Sequence, residues 1–221
     1  GGYKLSYYKD DINEKYILNS LDNALKLLEC FDENNYELSV PELTEKLDLT
    51  KSSVYRMVHT LWSRGFLEKD DISHKYKLGY KILTLGAVIR KKSDLVQEVK
   101  PYLKDLMEKT GETIHLAILY DHMTTFIDKI ESPKTIQMGS VIGARMPAYC
   151  TGTGKMLLAG LPEKELEEYL KNENFSKYTS NTINNSKKLR EEINKIKNRG
   201  YSIDDEESEE GLMCISAPIT N

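Results

Sequence analysis

Two helix starts follow one another closely within residues 39–65, and their spacing constrains the fold more than any other feature of the chain. At the first start, Ser39 is a typical N-cap, and Glu42 three residues later completes a capping box. At the second, Thr50 precedes apolar residues at i, i+4 and i+7. Gly65 is typical of the end of that helix. The spacing therefore predicts two helices joined by a short turn.

A further helix and a hairpin are predicted on either side of this pair. Residues 20–31 carry apolar side chains at helical spacing. Residues 66–69 and 76–78 alternate like strands on either side of the turn 70–75. Helix, helix, turn, helix and hairpin is the order of a winged helix-turn-helix domain, which we expect over residues 19–80.

The remainder of the chain predicts a second domain reached through a helix. Residues 81–94 continue the helical periodicity and predict a linker helix. The helical pattern extends to Gly111, and Pro101 is expected to bend or restart it. Strands follow, including a short one at 135–138, then three amphipathic helices and two more strands. This order predicts an α+β domain with an antiparallel sheet over residues 95–221.

Charge is unevenly distributed along the chain. The whole sequence has 31 Lys and Arg against 35 Asp and Glu, a net charge of −4, which argues against indiscriminate binding to nucleic acid or membrane. In contrast, residues 49–67 contain Lys51, Arg56 and Arg64 and no acid. The first turn after Thr50 also lacks the usual carboxylate, so its N–H groups are available to an external anion such as DNA phosphate.

We therefore expect the second helix of the pair to contact double-stranded DNA, with the hairpin lying along the DNA backbone. The alternative is a solvated surface on which these polar and basic residues are incidental. The candidate DNA-binding residues are Ser39, Thr50, Lys51, Ser52, Ser53, Tyr55, Arg56, His59, Arg64, His74, Lys75 and Lys77.

Cysteine and histidine usage indicates the compartment and the absence of a cofactor. Cys30, Cys150 and Cys214 are too few and too scattered for a disulfide framework, so a reducing cytoplasm is expected. No apolar stretch approaches the roughly 20 residues of a bilayer span. The four histidines lack HxxxH or HExxH spacing, so no metal or other cofactor is expected.

The segment 150–155 is the most distinctive local feature of the second half. Thr151 can cap a helix, and Gly152 and Gly154 allow a ligand or a strand to approach the backbone closely. Free N–H groups at such a start would bind the carboxylate of a small acid. The glycine-to-lysine spacing is too short for a phosphate-binding Walker loop. A tight strand-to-helix junction is the alternative interpretation.

Nine short segments carry a family resemblance in a fixed order: 20–25, 38–43, 50–56, 65–67, 76–79, 114–117, 147–155, 199–201 and 204–207. Their combination resembles the IclR-type transcriptional regulators from about Ser20 onward. The resemblance implies a bacterial or archaeal regulator that binds promoter DNA as a dimer or a dimer of dimers. It also implies a C-terminal effector-binding domain of GAF-like fold that takes small organic acids.

The resemblance further implies an effector pocket. Its expected residues are Met138, Met146, Gly152, Thr153, Asp204, Leu212 and Cys214. At the position of Thr153 family members often have a smaller residue, and at the position of Thr135 they have an apolar one. These two differences leave the identity of the small-acid effector open. Family members usually continue beyond the strand ending near Ile219 with segments that add polar pocket residues, so we expect part of the pocket to be missing here.

The run from Asp204 to Glu210 holds six acids in seven residues. We expect its outer acids to form a solvated loop. Asp204 ends a predicted strand and is the exception. There it would accept a hydrogen bond from a ligand hydroxyl or amine, or orient a neighbouring residue.

Dimerisation is also expected, because one recognition helix covers only a few base pairs. Leu21, Leu25, Ile82 and Leu85 are the candidate dimer contacts, and a place in the core of their own domain is the alternative for each.

Two other functions stay open from the sequence. One is a DNA-binding adaptor whose second domain only makes protein contacts. The other is a cysteine hydrolase, which would need Cys150 or Cys214 beside a base such as His115.

Overall fold

The computed structural model describes residues 14–32, 34–134 and 139–220. They form two compact units, which meet in sequence between Ser93 and Asp94. None of the helices in this described part has the length and apolar character that a membrane span requires.

The first unit consists of helices and one β-hairpin. Its elements are α1 (Asn19–Glu29), α2 (Val40–Leu47), α3 (Lys51–Ser63), β1 (Leu67–Lys69), β2 (Tyr76–Leu78) and α4 (Tyr80–Lys92). The predicted capping box is present, since Ser39 N donates to Glu42 Oε2 at 2.7 Å and Glu42 N donates to Ser39 Oγ at 3.4 Å. Asp48 ends α2 in the left-handed region with φ 51°, so α3 starts after a very short turn.

The hairpin is fastened to the helices by backbone contacts. Leu38 and Tyr76 exchange two N–H···O bonds of 2.9 and 2.8 Å, which adds a third short strand segment. The chain leaves α3 through Gly65, whose φ of +76° lies in the left-handed region. A Cβ on Gly79 would lie 2.3 Å from the Gly65 carbonyl oxygen, so only glycine allows the end of the hairpin to approach so closely.

The core of the first unit lies between α1, α2, α3 and the hairpin. It is formed by Leu27, Phe31, Leu38, Leu43, Val54, Val58, Leu67 and Tyr76. Val54 and Val58, one turn apart, fix which face of α3 points inward. The predicted winged helix-turn-helix architecture is confirmed.

The second unit combines helices with two antiparallel sheets. Its elements are α5 (Asp94–Thr110), β3 (Ile114–Tyr120), β4 (Met123–Ile130), β5 (Arg145–Pro147), α6 (Gly152–Ala159), α7 (Glu163–Asn172), α8 (Ser186–Arg199), β6 (Ser202–Asp205) and β7 (Met213–Ser216). One sheet has the order β3-β4-β5, and the other pairs β6 with β7. The predicted α+β class with antiparallel pairing is confirmed.

Two apolar clusters stabilise this unit. The larger one packs α6, α7 and α8 together through Leu158, Leu166 and Ile193, and the smaller one packs α5 against β3 through Leu103 and Leu116. Burial of these side chains supplies the main driving force for folding.

Three details depart from the sequence-based expectation or lie outside it. The helix restarts at Ser93, whose ψ of 106° is extended, and α5 then runs through Pro101. Of the bend or restart expected at Pro101, the restart is therefore wrong. A proline removes one donor, and the rest of a 17-residue helix compensates for that loss. Strand β5 had no sequence signal. The strand expected at 135–138 lies outside the described residues.

Candidate functional site

The outward face of α3 presents most of the candidate DNA-binding residues. Lys51, Ser52, Ser53, Tyr55, Arg56 and His59 are all exposed, and so is Arg64 just beyond the helix. Because Val54 and Val58 are fully buried, this face is held toward solvent.

The N-terminus of α3 is electropositive and has no internal anion. Its first turn contains no acid, and within the described residues no carboxylate lies within 4 Å of Lys51, Arg56 or Arg64. Thr50 Oγ1 caps the helix by accepting from Ser53 N at 3.4 Å, and it also contacts the hydroxyls of Ser52 and Ser53. The side chains and the helix dipole therefore both favour an external anion at this end.

The two hairpin lysines differ from the candidates on α3 because they already have partners. Lys75 Nζ lies 3.5 Å from Glu42 Oε1, and Lys77 Nζ lies 3.9 Å from Glu68 Oε2. Ser39 donates its hydroxyl to Glu42 at 2.6 Å, which contributes to holding the pKa of that carboxyl below its usual value. His74 is exposed at the hairpin turn with φ 58°. A DNA phosphate would compete with Glu42 and Glu68 for these lysines. The free energy lost on breaking the two pairs would be small, because exposed ion pairs are weak.

One exposed aromatic residue of α3 was missed by the sequence-based candidate set. Trp62 is 44% exposed, and its ring lies 5.6 Å from the His59 ring. The sequence contains the signal that would have identified Trp62, because Trp62 follows His59 by three residues and so lies on the same side of the helix.

In the second unit, three of the expected effector-site residues come together. A Cβ on Gly152 would lie 3.5 Å from the Cβ atoms of both Asp204 and Cys214, and 3.0 Å from Ser216 Oγ. Asp204 and Cys214 are direct partners in the β6–β7 register. Ser216 was not predicted, although it follows Cys214 by two residues and so lies on the same face of β7.

The other expected effector-site residues lie around or beyond this cluster. Thr153 is half-buried in the first turn of α6, and Leu212 is half-buried just before β7. Met146 is on β5, in the other sheet, opposite Thr124. Met138 lies outside the described residues.

Gly154 has a structural explanation. A Cβ there would lie 2.3 Å from the Ala148 carbonyl oxygen and 2.5 Å from Thr124 Oγ1. Gly154 N also donates to Thr151 Oγ1 at 3.1 Å, which caps α6. The tight-junction interpretation therefore accounts for Gly154, whereas Gly152 borders the cluster.

The Asp204 carboxylate is held by its own loop. Its Oδ1 accepts from Glu207 N at 2.8 Å, and its Oδ2 accepts from Ser208 Oγ at 3.0 Å. Asp204 is almost completely buried. Of the two roles considered for Asp204, this geometry matches the orienting one.

Glu207 is buried, which corrects the expectation of a solvated acidic loop. Its carboxylate forms an ion pair with Lys155, whose Nζ also donates to the Ile203 carbonyl at 2.6 Å. Burial raises the pKa of Glu207, opposed by Lys155. The expectation was wrong because Lys155 is fully buried within α6 and requires an anion beside it.

Neither Cys150 nor Cys214 has the character of a nucleophile. Burial, reinforced by the charge of Asp204, raises the pKa of Cys150 to about 12 and that of Cys214 to about 11, so both thiols stay protonated. His115 Nε2 lies 2.6 Å from Ser140 Oγ, and burial lowers its pKa to about 4. Among the described residues, no group of three His, Cys, Asp or Glu side chains could hold a metal.

Comparison with known proteins decides the family. Residues 87–221 match the model of the bacterial transcriptional regulator IclR C-terminal domain, and residues 20–71 match that of the IclR helix-turn-helix domain. The chain belongs to the IclR family of transcriptional regulators. Helices α2 and α3 of this IclR-family chain, and α1 from its second residue onward, lie within the helix-turn-helix match, and Gly152, Asp204 and Cys214 lie within the C-terminal match.

Individual relatives agree with this assignment. The chain is 32% identical to the HTH-type transcriptional regulator XynR of Escherichia coli, over 93% of this chain and 81% of that protein. A crystal structure of Thermotoga maritima IclR has 36% identity and a TM-score of 0.64, covering 91% of this chain and 81% of that one. An IclR homolog from Microbacterium hydrocarbonoxydans, crystallised with 4-hydroxybenzoate, shares the fold at 21% identity, with a TM-score of 0.75 and coverage of 91% and 83%.

Proposed function

We propose that this IclR-family regulator binds double-stranded operator DNA through α3 and the β1–β2 hairpin, and that a small organic acid in the second unit modulates this binding. The observation that carries the proposal is the exposed, acid-free face of α3, on which Lys51, Arg56 and Arg64 have no carboxylate partner within the described residues. The proposed function has no catalytic step, and its place is the reducing cytoplasm, where promoter DNA is found.

Phosphate and bases would engage different parts of this face. The N–H groups and Lys51 at the start of α3 match a phosphate, because the helix dipole adds to the side-chain charge. Arg56 lies one turn further along the exposed face, where a guanidinium can donate to a guanine edge or to phosphate. The hairpin lysines contribute positive charge beside them.

A dimer or tetramer is part of the proposal. Leu21 and Leu25 lie one turn apart on α1 and are both more than half exposed, and Leu85 on α4 is also exposed. Ile82 is half-buried. An apolar surface of this kind is typical of a contact with another copy, and two copies would match a two-fold operator.

The effector is proposed to bind beside Gly152. Gly154 N and Lys155 N are occupied by Thr151, whereas the N–H groups of Gly152 and Thr153 have no acceptor within the described residues. Two such groups at a helix start suit a carboxylate. The 4-hydroxybenzoate bound to the Microbacterium relative supports an organic acid as the ligand class.

Binding to DNA is tested with the Arg56→Ala variant. Fluorescence anisotropy of labelled duplexes, enriched by selection on the full chain, should show at least about a tenfold loss of affinity for Arg56→Ala. Lys187→Ala, an exposed lysine on α8, is the matched control and should bind normally. Equal affinities for all three proteins would contradict the assignment of α3.

The effector proposal is tested by thermal shift with 4-hydroxybenzoate and a panel of small aliphatic and aromatic acids. An acid present at 100 times its Kd adds about 2.7 kcal/mol of stability. Gly152→Val should abolish the shift, because its side chain would crowd Ser216 Oγ, which lies only 3.0 Å from a Cβ at this position, while DNA binding without an acid persists. If no acid stabilises the wild-type chain, the adaptor function is favoured.

A shallow depression of about 270 Å³ between α7 and α8 is lined by Glu167 and Arg190 rather than by Gly152.

A further inference from the structure

Three aromatic side chains form a continuous row on the outside of α3. Tyr55, His59 and Trp62 follow one another at i, i+4 and i+7, which places them on one side of the helix over about 10 Å. The ring centroids of Tyr55 and His59 are 6.4 Å apart, and those of His59 and Trp62 are 5.6 Å apart in an edge-to-face arrangement. We call this row the aromatic ridge.

His59 and Trp62 of the ridge dominate the C-terminal half of the exposed face of α3. Thr60 and Ser63 share that half, but each hydroxyl donates to a carbonyl of α3 itself, Thr60 to Arg56 O and Ser63 to Thr60 O, both at 2.8 Å. Their hydroxyls are therefore already engaged within the helix. Beyond Arg56, the groups that α3 offers to a partner are the aromatic ones, together with Arg64 at its end.

The chemistry of the ridge favours an occupant that is both apolar and anionic. Tyr55 is 56% exposed and Trp62 is 44% exposed, so both leave apolar area in water that a partner could cover. Tyrosine Oη–H and tryptophan Nε1–H are donors at the rims of these rings. Sugar rings and phosphate oxygens of duplex DNA offer apolar surface and acceptors side by side.

Charge distinguishes DNA from a second copy of the chain. The ridge lies on a helix with exposed Lys51 and Arg56 and no acid, so the same face of another copy would repel it. DNA carries the opposite charge. The ridge is also continuous with the proposed DNA-binding face, because His59 follows Arg56 by three residues.

We propose that the aromatic ridge lies against the sugar–phosphate wall of the DNA major groove, and that Trp62 is a DNA-contacting residue of this regulator. The inference rests on the proposed function, which brings α3 to the groove. It adds that α3 also binds through aromatic contact along the ridge, with Tyr55 Oη and Trp62 Nε1 donating to phosphate oxygens.

The experiment uses Trp62 as its own reporter, because it is the only tryptophan of the chain. A 20-base-pair duplex enriched by selection on the full chain, labelled with fluorescein, is titrated with the full chain at low salt, and anisotropy reports binding. In parallel, Trp62 emission and its quenching by acrylamide are followed with unlabelled duplex. We expect binding to alter the emission and to reduce access of acrylamide to Trp62 severalfold.

Variants separate contact from folding. Trp62→Ala should weaken binding about fivefold to tenfold, the size expected for a well-packed aromatic contact. Trp62→Phe keeps the ring but loses the indole donor and should fall between Trp62→Ala and the wild type. Tyr178→Ala removes an aromatic of similar exposure from the second unit and should bind normally. Circular dichroism checks that each variant is folded.

The outcomes distinguish the ridge from DNA binding itself. In one outcome, anisotropy is the only readout that changes when DNA is added, with Trp62 emission, acrylamide access and the affinity of Trp62→Ala all unchanged. That result would overturn DNA contact by the aromatic ridge and leave the proposed function standing. Absence of binding by the wild-type chain would overturn both. Protection of Trp62 that grows with protein concentration without DNA would assign the ridge to self-association and overturn the proposal.

Discussion

Replacing Lys155 with methionine would leave the Glu207 carboxylate buried without its cation. The Lys155 side chain is 1% exposed and that of Glu207 is 11% exposed, so water cannot take over the interaction. Breaking a buried pair from one side typically costs about 3–5 kcal/mol. The hydrogen bond from Lys155 Nζ to the Ile203 carbonyl is lost as well, at roughly 1 kcal/mol. We therefore expect Lys155→Met to lower the free energy of unfolding by about 4–6 kcal/mol.

The loss should depend on pH in a defined direction. Burial raises the pKa of Glu207 and Lys155 opposes that rise, so removing Lys155 raises the pKa further. An acid whose pKa is higher in the folded chain than in the unfolded chain contributes stability at low pH and loses it as the pH rises through the folded pKa. The loss in Lys155→Met should therefore be largest at neutral pH and shrink as the pH falls toward the usual range of a glutamate.

Urea unfolding of the full chain, followed by circular dichroism at several pH values, measures both effects. Lys109→Met is the matched control, since Lys109 forms an exposed pair with Asp105 at 2.7 Å that is worth only about 0.3–0.5 kcal/mol. Lys155→Met combined with Glu207→Leu should recover most of the loss, because no buried charge remains. A loss below about 1 kcal/mol in Lys155→Met, or no recovery in the double variant, would refute the reasoning.

Three further predictions concern other parts of the structure. Gly154→Ala should lower the free energy of unfolding by at least about 1–3 kcal/mol in thermal unfolding, because its Cβ would meet the Ala148 backbone. Gly86→Ala is the control and should be neutral or stabilising, because its Cβ would meet no atom within 4 Å. Burial lowers the pKa of His115 to about 4, so the stability it contributes above pH 6.5 should be lost as the pH falls toward 4, and His115→Gln should flatten that part of the stability curve. Leu25→Glu should shift the chain to smaller species in sedimentation velocity, since it places a charge on the exposed apolar face of α1; an unchanged profile would exclude this face as a dimer contact.

Most of the fold could be predicted because its signals are local. The capping box joins Ser39 to Glu42, and the cap of α3 joins Thr50 to Ser53, so each lies within one helical turn. The two hairpin strands are separated by a short turn. The break at Ser93 was missed because it has neither glycine nor proline to mark it, while Pro101 carries a local signal that the surrounding helix overrides.

The sites were less predictable because their contacts are distant in sequence. Lys155 and Glu207 are 52 residues apart, and nothing local distinguishes Glu207 from the acids beside it. The approach of Ser216 to Gly152 likewise depends on how the β6–β7 hairpin packs against α6. Periodicity could show that the surface of α3 is exposed. It could not show that Lys75 and Lys77 are paired with carboxylates, whereas the α3 cations have no such pair within the part of the chain that the structure describes.

The salt dependence of DNA binding tests the central claim most directly. The logarithm of the binding constant of the full chain for a selected duplex should fall linearly with the logarithm of salt concentration, with a slope of about −0.9 for each phosphate neutralised. Three α3 cations then predict a slope near −2.7 or steeper per bound copy, and Lys51→Ala, which removes the cation assigned to phosphate, should reduce its magnitude by about one. Salt-insensitive binding, or a slope that Lys51→Ala leaves unchanged, would contradict the account.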